Sequence, residues 1–305
     1  MTLVAVSVII FWATVALPGD SASAILEREA ADPTIAGPLR ERLGLNRPLH
    51  EQYVDWFSGA LHGSFGESYA LGQPVTRILR PTLRNSLTLA GITIIIVVPL
   101  SLLLGTIAAA RAGSLVDRTI SAPTLFLISL PEFVVAAVLI VIFAGWLGVL
   151  PPVALLGPGE APLESPTKLV LPVLTLVVGM LGQTTRMVRA SVIEVLEQEY
   201  VQMARLKGVP NRRLLRLHVL RNALVPSVQL FALYLAALIG GLVITETIFN
   251  YPGVGSLLVS SIRLQDTPMI QACAFVVATA YISMNIIADV TMRLLTPKLR
   301  TSETS

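Results

Sequence analysis

The chain has 305 residues, of which 54% are hydrophobic and only 13% charged; an ordinary soluble domain carries about 25% charged residues. With a mean hydropathy of +0.74, it lacks the polar surface a soluble protein of this length needs, which excludes a cytosolic enzyme, a secreted domain and a disordered scaffold. Net charge is +3, and the single cysteine, Cys273, lies in an apolar run, which excludes an internal disulfide framework and a cysteine-based zinc cage.

A helix needs about 20 apolar residues to cross a bilayer, and the chain offers six such runs. Leu3–Leu17 is uncharged but short. Ser86–Ala110 is uncharged, and Thr119–Leu150 carries one charge, Glu132. Leu169–Thr185 is uncharged, Ala223–Phe249 carries only Glu246, and Pro268–Ala288 is uncharged. The expectation is therefore an all-α membrane protein with six transmembrane helices. Thr119–Leu150 is too long for one straight span, and Pro131 near its middle removes a helix hydrogen bond, so a break or kink is predicted there. Asp117 and Arg118 are then placed at the membrane surface.

Orientation follows from Lys and Arg. With the N-terminus inside, the short inner loops and tail hold 13 basic residues and the two short outer loops hold 2, Lys168 and Arg263. Both termini are expected in the cytoplasm, with residues 18–85 outside and 186–222 inside. A cleaved signal peptide competes for the first run, because Ala22-Ser23-Ala24 resembles a cleavage site, but the basic leader region is absent. The shortness of that run also fits a start lying further upstream. The expected organisation is a first helix over 1–17 and a small external cap over 18–85. A transmembrane core over 86–292 contains the inner loop 186–222, and a cytoplasmic tail follows over 293–305.

The inner segment is the most informative. Val188, Val192, Val195, Leu196 and Glu199 recur at helical spacing, and Gly208-Val209-Pro210-Asn211 interrupts them with two breakers and a potential cap. A second helix starts near Asn211, which makes a cytoplasmic elbow. Glu194, Glu197 and Glu199 charge one arm, and Arg212, Arg213 and Arg216 the other. The plainer reading is a solvated, positive-inside loop. Nucleic acid is a poor partner, since no aromatic residue interleaves with the arginines.

These residues carry a resemblance. Tyr200-Val201-Gln202-Met203-Ala204-Arg205-Leu206-Lys207-Gly208, followed by His218-Val219-Leu220-Arg221-Asn222-Ala223-Leu224-Val225-Pro226, resembles the "EAA" loop of binding-protein-dependent ABC importer permeases, and within them the dipeptide/oligopeptide subfamily. Gln202, Met203 and Arg221 depart from the general motif as peptide permeases typically do. Leu17-Pro18-Gly19-Asp20 and Leu43-Gly44-Leu45-Asn46-Arg47-Pro48-Leu49 extend the likeness along the chain, as do Gly63-Ser64-Phe65-Gly66 and Gly72-Gln73-Pro74-Val75. Glu246-Thr247-Ile248-Phe249 and Tyr251-Pro252-Gly253-Val254-Gly255 complete it. The tail departs from the usual ending at Thr296 and Lys298.

The resemblance implies a type I ABC importer permease (MetI-like) fold in a bacterial inner membrane, importing di- or oligopeptides by alternating access. Nickel, glutathione, opine and oligosaccharide importers of the same architecture are the alternatives. It implies four partners: a homologous second permease, two cytoplasmic ATP-binding subunits and an extracytoplasmic substrate-binding protein. This chain would hold no cofactor, ATP and Mg being bound by the ATPases; the sequence has no G-x-x-x-x-G-K-[ST] loop. Tyr200, Ala204, Arg205, Lys207, Gly208 and Arg212 become the candidate ATPase-coupling residues.

Intramembrane carboxylates usually face a cavity or a partner, so Glu132 and Glu246, with Asn250, are candidates for the substrate path. Glu246 has an equal alternative as a helix-end residue bonded to the Tyr251-Pro252-Gly253 turn. Glu132 has a stronger one as the cap of the helix after Pro131. Asp289 is expected to pair with Arg293 at i,i+4. Trp56, Phe57, Phe65 and Tyr69 suggest a folded cap that receives a binding protein, or simple packing against the spans. Residues 157–162 read as an exposed loop without chemistry. His50, His62 and His218 lie outside the spans, His50 and His62 form only a weak metal pair, and no catalytic constellation is expected. An ion-coupled secondary transporter would show matched broken helices in two halves, and only one such break is visible.

Overall fold

In a computed structural model the described residues are 1–16, 37, 41, 44, 46–157, 159–210, 213–215, 238 and 240–295, without the side chains of 288 and 292–295. The described secondary structure is helical, with one isolated bridge between Glu67 and Pro74. The chain divides into two compact units. The first comprises Met1–Leu87 and Asn250–Ile282, the second Thr88–Phe249 and Ser283–Ser305.

In the first unit, α1 (Thr2–Val15) buries Ser7, Phe11 and Thr14. Helix α2 (Leu49–Leu61) places Tyr53, Trp56 and Phe57 on one face, as spacings of three and four residues require. These rings interlock with Phe11 and with Phe275 of the last helix. Phe11 meets Tyr53 edge-on at 5.5 Å, Tyr53 stacks on Phe57 at 5.7 Å, and Trp56 meets Phe275 edge-on at 5.8 Å. Of the two readings of these aromatics, packing onto neighbouring helices is the one visible inside this unit. A second core joins Val75 and Leu79, at the start of α3 (Val75–Ala110), to Val254, Met269, Ala272 and Cys273.

Helix α3 begins well before the apolar run that announces it, so the expected boundary at residue 85 lies inside a helix. Arg77, Arg80 and Arg84 forbid the bilayer interior to that part of α3 but do not forbid helix. The loop between α2 and α3 is pinned by Asp266, 2% exposed, which accepts from Ser68 Oγ and from the amide of Tyr69 at 3.1 Å. Burial, with the Asp266 charge adding to it, pushes the Tyr69 phenol above its ordinary pKa.

In the second unit, α4 (Leu115–Ser129) and α5 (Glu132–Leu139) meet at the predicted break and differ in direction by 105°. Leu130 and Pro131 are both extended (ψ 124° and 142°), as the ring of Pro131 demands of the residue before it. α5 continues as a π-helix over Ile140–Trp146 and is followed by a 3-10 turn, Pro162–Glu164. Helix α6 (Pro166–Leu196) is the centre of the unit, and α7 (Glu199–Leu206) follows it. Residues 240–248 are helical. Helices α8 (Val254–Arg263) and α9 (Thr267–Leu295) complete the described residues.

Helix α6 packs against its neighbours through glycine contacts. A Cβ on Gly182 would sit 2.6 Å from the Thr124 carbonyl oxygen of α4, and one on Gly105 of α3 would sit 2.7 Å from Val188 Cβ. Such backbone approach is the usual way apolar helices gain packing where water offers no hydrophobic drive.

Three described helices, α3, α6 and α9, are long and apolar enough to cross a membrane, or four spans if the bent α4–α5 pair is counted as one. α1 is apolar but only 14 residues long. Most of the expected span 223–249 lies outside the described residues. The helical class is therefore present, while the count of six is reached only in part.

Candidate functional site

The elbow of the inner segment takes a shape different from the expected one. The break at Gly208 is there, but a second one precedes it: Gln198 is extended (ψ 142°) and separates α6 from α7. Neither glycine nor proline causes it. Val201 of α7 is fully buried in a cluster with Val188, Val192 and Val195 of α6, Ala109 of α3 and Leu214, and α7 has to turn at Gln198 to place it there. Ala204, Val209 and Leu215 pack against the same cluster.

The opposite face of α7 is open. Tyr200, Met203 and Leu206 are 44%, 56% and 83% exposed, and they recur at helical spacing. Arg205 and Lys207 are exposed beside them. Gly208 closes the helix with φ +79°. Its amide donates to Arg205 O at 3.0 Å and that of Val209 to Ala204 O at 3.2 Å, the paired bonds of a Schellman termination. No atom of the described residues lies within 4 Å of where a Gly208 Cβ would stand. Among the described residues, then, the glycine is required by its backbone and not by a close neighbour. Of the six coupling candidates, Tyr200, Ala204, Arg205, Lys207 and Gly208 share this short helix and its cap. Arg212 lies outside the described residues, as do Asn211, Arg216 and His218.

The membrane acids sit close along the chain to one another's partners. The Glu132 carboxylate accepts from Thr245 Oγ1 at 2.6 Å, and a Cβ on Gly241 would stand 2.7 Å from its other oxygen. Glu132 occupies the first turn of α5, yet its carboxylate is turned to Thr245 and no side-chain cap bond closes that helix end. Glu246, adjacent in sequence to Thr245, is fully buried. Asn250 belongs to the other unit, is exposed, and holds the left-handed φ of 48° that asparagine tolerates. The expected Asp289–Arg293 pair lies outside the described side chains.

Two sites escaped the sequence reading. Asp117, 5% exposed, accepts from Arg189 Nε and Nη2 at 2.7 Å each, from the Gly113 amide at 2.8 Å and from Ser121 Oγ at 3.0 Å. The partners stand 72 positions apart, beyond the reach of any local pattern. In the segment 157–162, expected to be an exposed loop without chemistry, Glu160 gathers several partners. It accepts from the Gly157 amide at 2.6 Å, from Ser165 Oγ and from Lys168 Nζ at 3.0 Å. The Gly157 amide, then Ser165 and Lys168, hold its carboxyl at about 2, below the usual glutamate value.

Among the described residues no group of His, Cys, Asp and Glu is arranged to hold a metal. His50 is exposed, and His62 Nδ1 lies 2.7 Å from Ser58 O.

The described residues form long apolar helices with a short glycine-capped helix after one of them, and sequence comparison gives the family. Residues 101–301 match the family described as binding-protein-dependent transport system inner membrane component, and residues 1–74 match the N-terminal region of such membrane components. The chain belongs to this family and is a permease subunit of an ABC importer. It is 36% identical over 97% of its length to a probable peptide ABC transporter permease, y4tP, of Sinorhizobium fredii, covering 94% of that protein. The metal-staphylopine import system permease CntB of Staphylococcus aureus is 37% identical, with 88% of this chain and 83% of that protein aligned. The di/tripeptide transport system permease DppB of Pseudomonas aeruginosa is 32% identical, over 93% and 90% respectively. The solved structure of the MetNI methionine ABC transporter in inward-facing conformations shares the fold, with a TM-score of 0.52, 18% identity, and 73% of this chain and 96% of that chain covered.

Proposed function

We propose that this chain forms half of the translocation pathway of an ATP-driven importer of di- or oligopeptides, with α7 as its coupling helix. The observation that carries the proposal is the two-faced character of α7. Val201 anchors it to α6, while Tyr200, Met203 and Leu206 present an apolar stripe flanked by Arg205 and Lys207. An exposed apolar stripe rimmed by charge is the mark of a protein interface. Its partner in this reading is a groove on a cytoplasmic ATPase, which binds the ATP and Mg that this chain does not. A homologous second permease completes the pathway, and an extracytoplasmic binding protein delivers the substrate. The setting is a bacterial inner membrane with both termini in the cytoplasm. Glu132, Glu246 and Asn250 belong to the substrate path, where a carboxylate in a low-dielectric setting attracts a substrate's ammonium group.

The peptide class rests on the relatives named for peptide and di/tripeptide transport. A metal-opine substrate is the second reading, favoured by the staphylopine relative. Uptake of a labelled tetrapeptide, in cells with and without the chain, separates them. Chain-dependent uptake that unlabelled peptides compete and a metal-opine complex does not is the expected result. Absence of chain-dependent tetrapeptide uptake, with chain-dependent uptake of a labelled metal-opine complex, would move the substrate to the opine class.

A further inference from the structure

Two specific contacts tie helices α4 and α6 together along their shared length. Gly182 lies against Thr124 and Ile128, and Arg189 forks onto Asp117. On each helix the two points are seven residues apart, Gly182 to Arg189 and Thr124 back to Asp117. Seven residues are about two turns, so both points fall on one face of each helix, and the reversed order makes the packing antiparallel. The glycine contact excludes side chains and the ion pair fixes the axial register. Bidentate pairing of guanidinium with carboxylate is the most directional of charged contacts. Asp117 is itself held by the Gly113 amide and Ser121, so it cannot follow Arg189 without carrying the start of α4 with it.

What lies at either end gives this pair a role. Below Arg189, α6 continues through Val192 and Val195 into the cluster that seats α7. Beyond Thr124, α4 ends at the Pro131 break, where Glu132 bonds Thr245. We infer that Arg189 and Asp117 are positioning residues for transport: they fix α4 to α6, so that a displacement of α7 reaches the Pro131 break as motion of one body. The inference rests on the proposal that α7 receives the ATPase. Arg189 touches neither substrate nor ATPase in this scheme. It sets how much of the ATPase stroke arrives at the pathway.

The test uses the complete importer in proteoliposomes and reads uptake and ATP hydrolysis together. A merely structural role lowers both by the fraction of complex lost and leaves their ratio intact. Arg189→Gln is expected to lower uptake per ATP at least tenfold while hydrolysis continues, and Arg189→Lys, which keeps the charge and loses the fork, to fall between. An unchanged ratio in both variants would overturn the inference. Should Arg189→Gln not assemble, Asp117→Cys with Arg189→Cys, in a Cys273→Ala background, keeps the question open to refutation. Bridging the two thiols with a short bis-methanethiosulfonate is expected to restore uptake per ATP. Loss of the remaining uptake on bridging would mean that α4 and α6 must slide, and would refute the single-body motion. Leu206→Asp in parallel separates the two layers. If it leaves ATPase attachment and hydrolysis untouched, the placement of α7 fails. If it abolishes them while Arg189→Gln leaves the ratio unchanged, the α4–α6 link alone fails.

Discussion

The two units of this chain solve the same problem with different materials. The first is built from large rings. Phe11, Tyr53, Trp56, Phe57 and Phe275 interlock, some edge to face and Tyr53 stacked on Phe57, and the loop between α2 and α3 hangs from a buried carboxylate, Asp266. The second removes side chains where its helices meet, at Gly105 and Gly182, and adds a forked ion pair whose carboxylate, Asp117, is buried. The contrast teaches where each unit tolerates change. Ring packing fails by subtraction, because a lost ring leaves a gap, whereas glycine packing fails by addition, because the first carbon atom already collides with backbone.

The largest effect is therefore expected from an added side chain. Gly182→Leu forces its Cβ into the Thr124 carbonyl and Ile128, and overpacking of this kind costs about 3 kcal/mol. Thermal unfolding of the protein in nanodiscs reads it, and an unfolding temperature equal to the parent's would refute the close contact. Subtraction in the ring cluster comes next. Phe275→Ala loses aromatic partners in Trp56, Phe57 and Phe65 and leaves a cavity, together about 3 kcal/mol, the low end for truncating a buried ring. Phe275→Leu, which keeps the volume, should recover part of it in the same assay.

The smallest effect separates both units from a surface anchor. The Glu160 carboxyl is depressed to about 2 from the ordinary 4.5. A depressed acid stabilises above its unfolded pKa and loses that contribution as pH falls, so the loop should loosen between about pH 4.5 and 2. An NMR titration of Glu160 with a midpoint near the ordinary value would remove the anchor. In Lys168→Met the midpoint should rise only partway, because the Gly157 amide and Ser165 remain.

Much of this architecture could be read from residues close in sequence. The apolar run from Ser86 to Ala110 forms the greater part of α3, and Pro131 breaks the helix where its ring predicts. Gly208 ends a helix in the left-handed conformation that a glycine between a helix and a proline suggests. What could not be read depends on partners far along the chain. Nothing near Asp117 names Arg189, and nothing near Ser68 names Asp266. The turn at Gln198 has no local cause, because it is imposed by the pocket that receives Val201. The early start of α3 was hidden for another reason: a hydropathy run marks what can enter lipid, and a helix carrying Arg77, Arg80 and Arg84 can extend beyond it. Of the candidate site, the residues of α7 were legible in the sequence, but not which of its faces is seated against α6 and which is exposed.

The π-helix over Ile140–Trp146 carries one more consequence. Its hydrogen bonds skip five positions, as from the Leu147 amide to Ile142 O at 3.0 Å. Such a stretch is what remains when a single residue is inserted into an ordinary helix and retained. Removing one residue from it would turn everything downstream by about 100°, the angle each residue subtends in an α-helix. The direction in which Trp146 and the exit toward Gly148 point is thus written in chain length rather than in side-chain chemistry. Related permeases that lack the extra residue should present a rotated surface there, even where every flanking residue is the same.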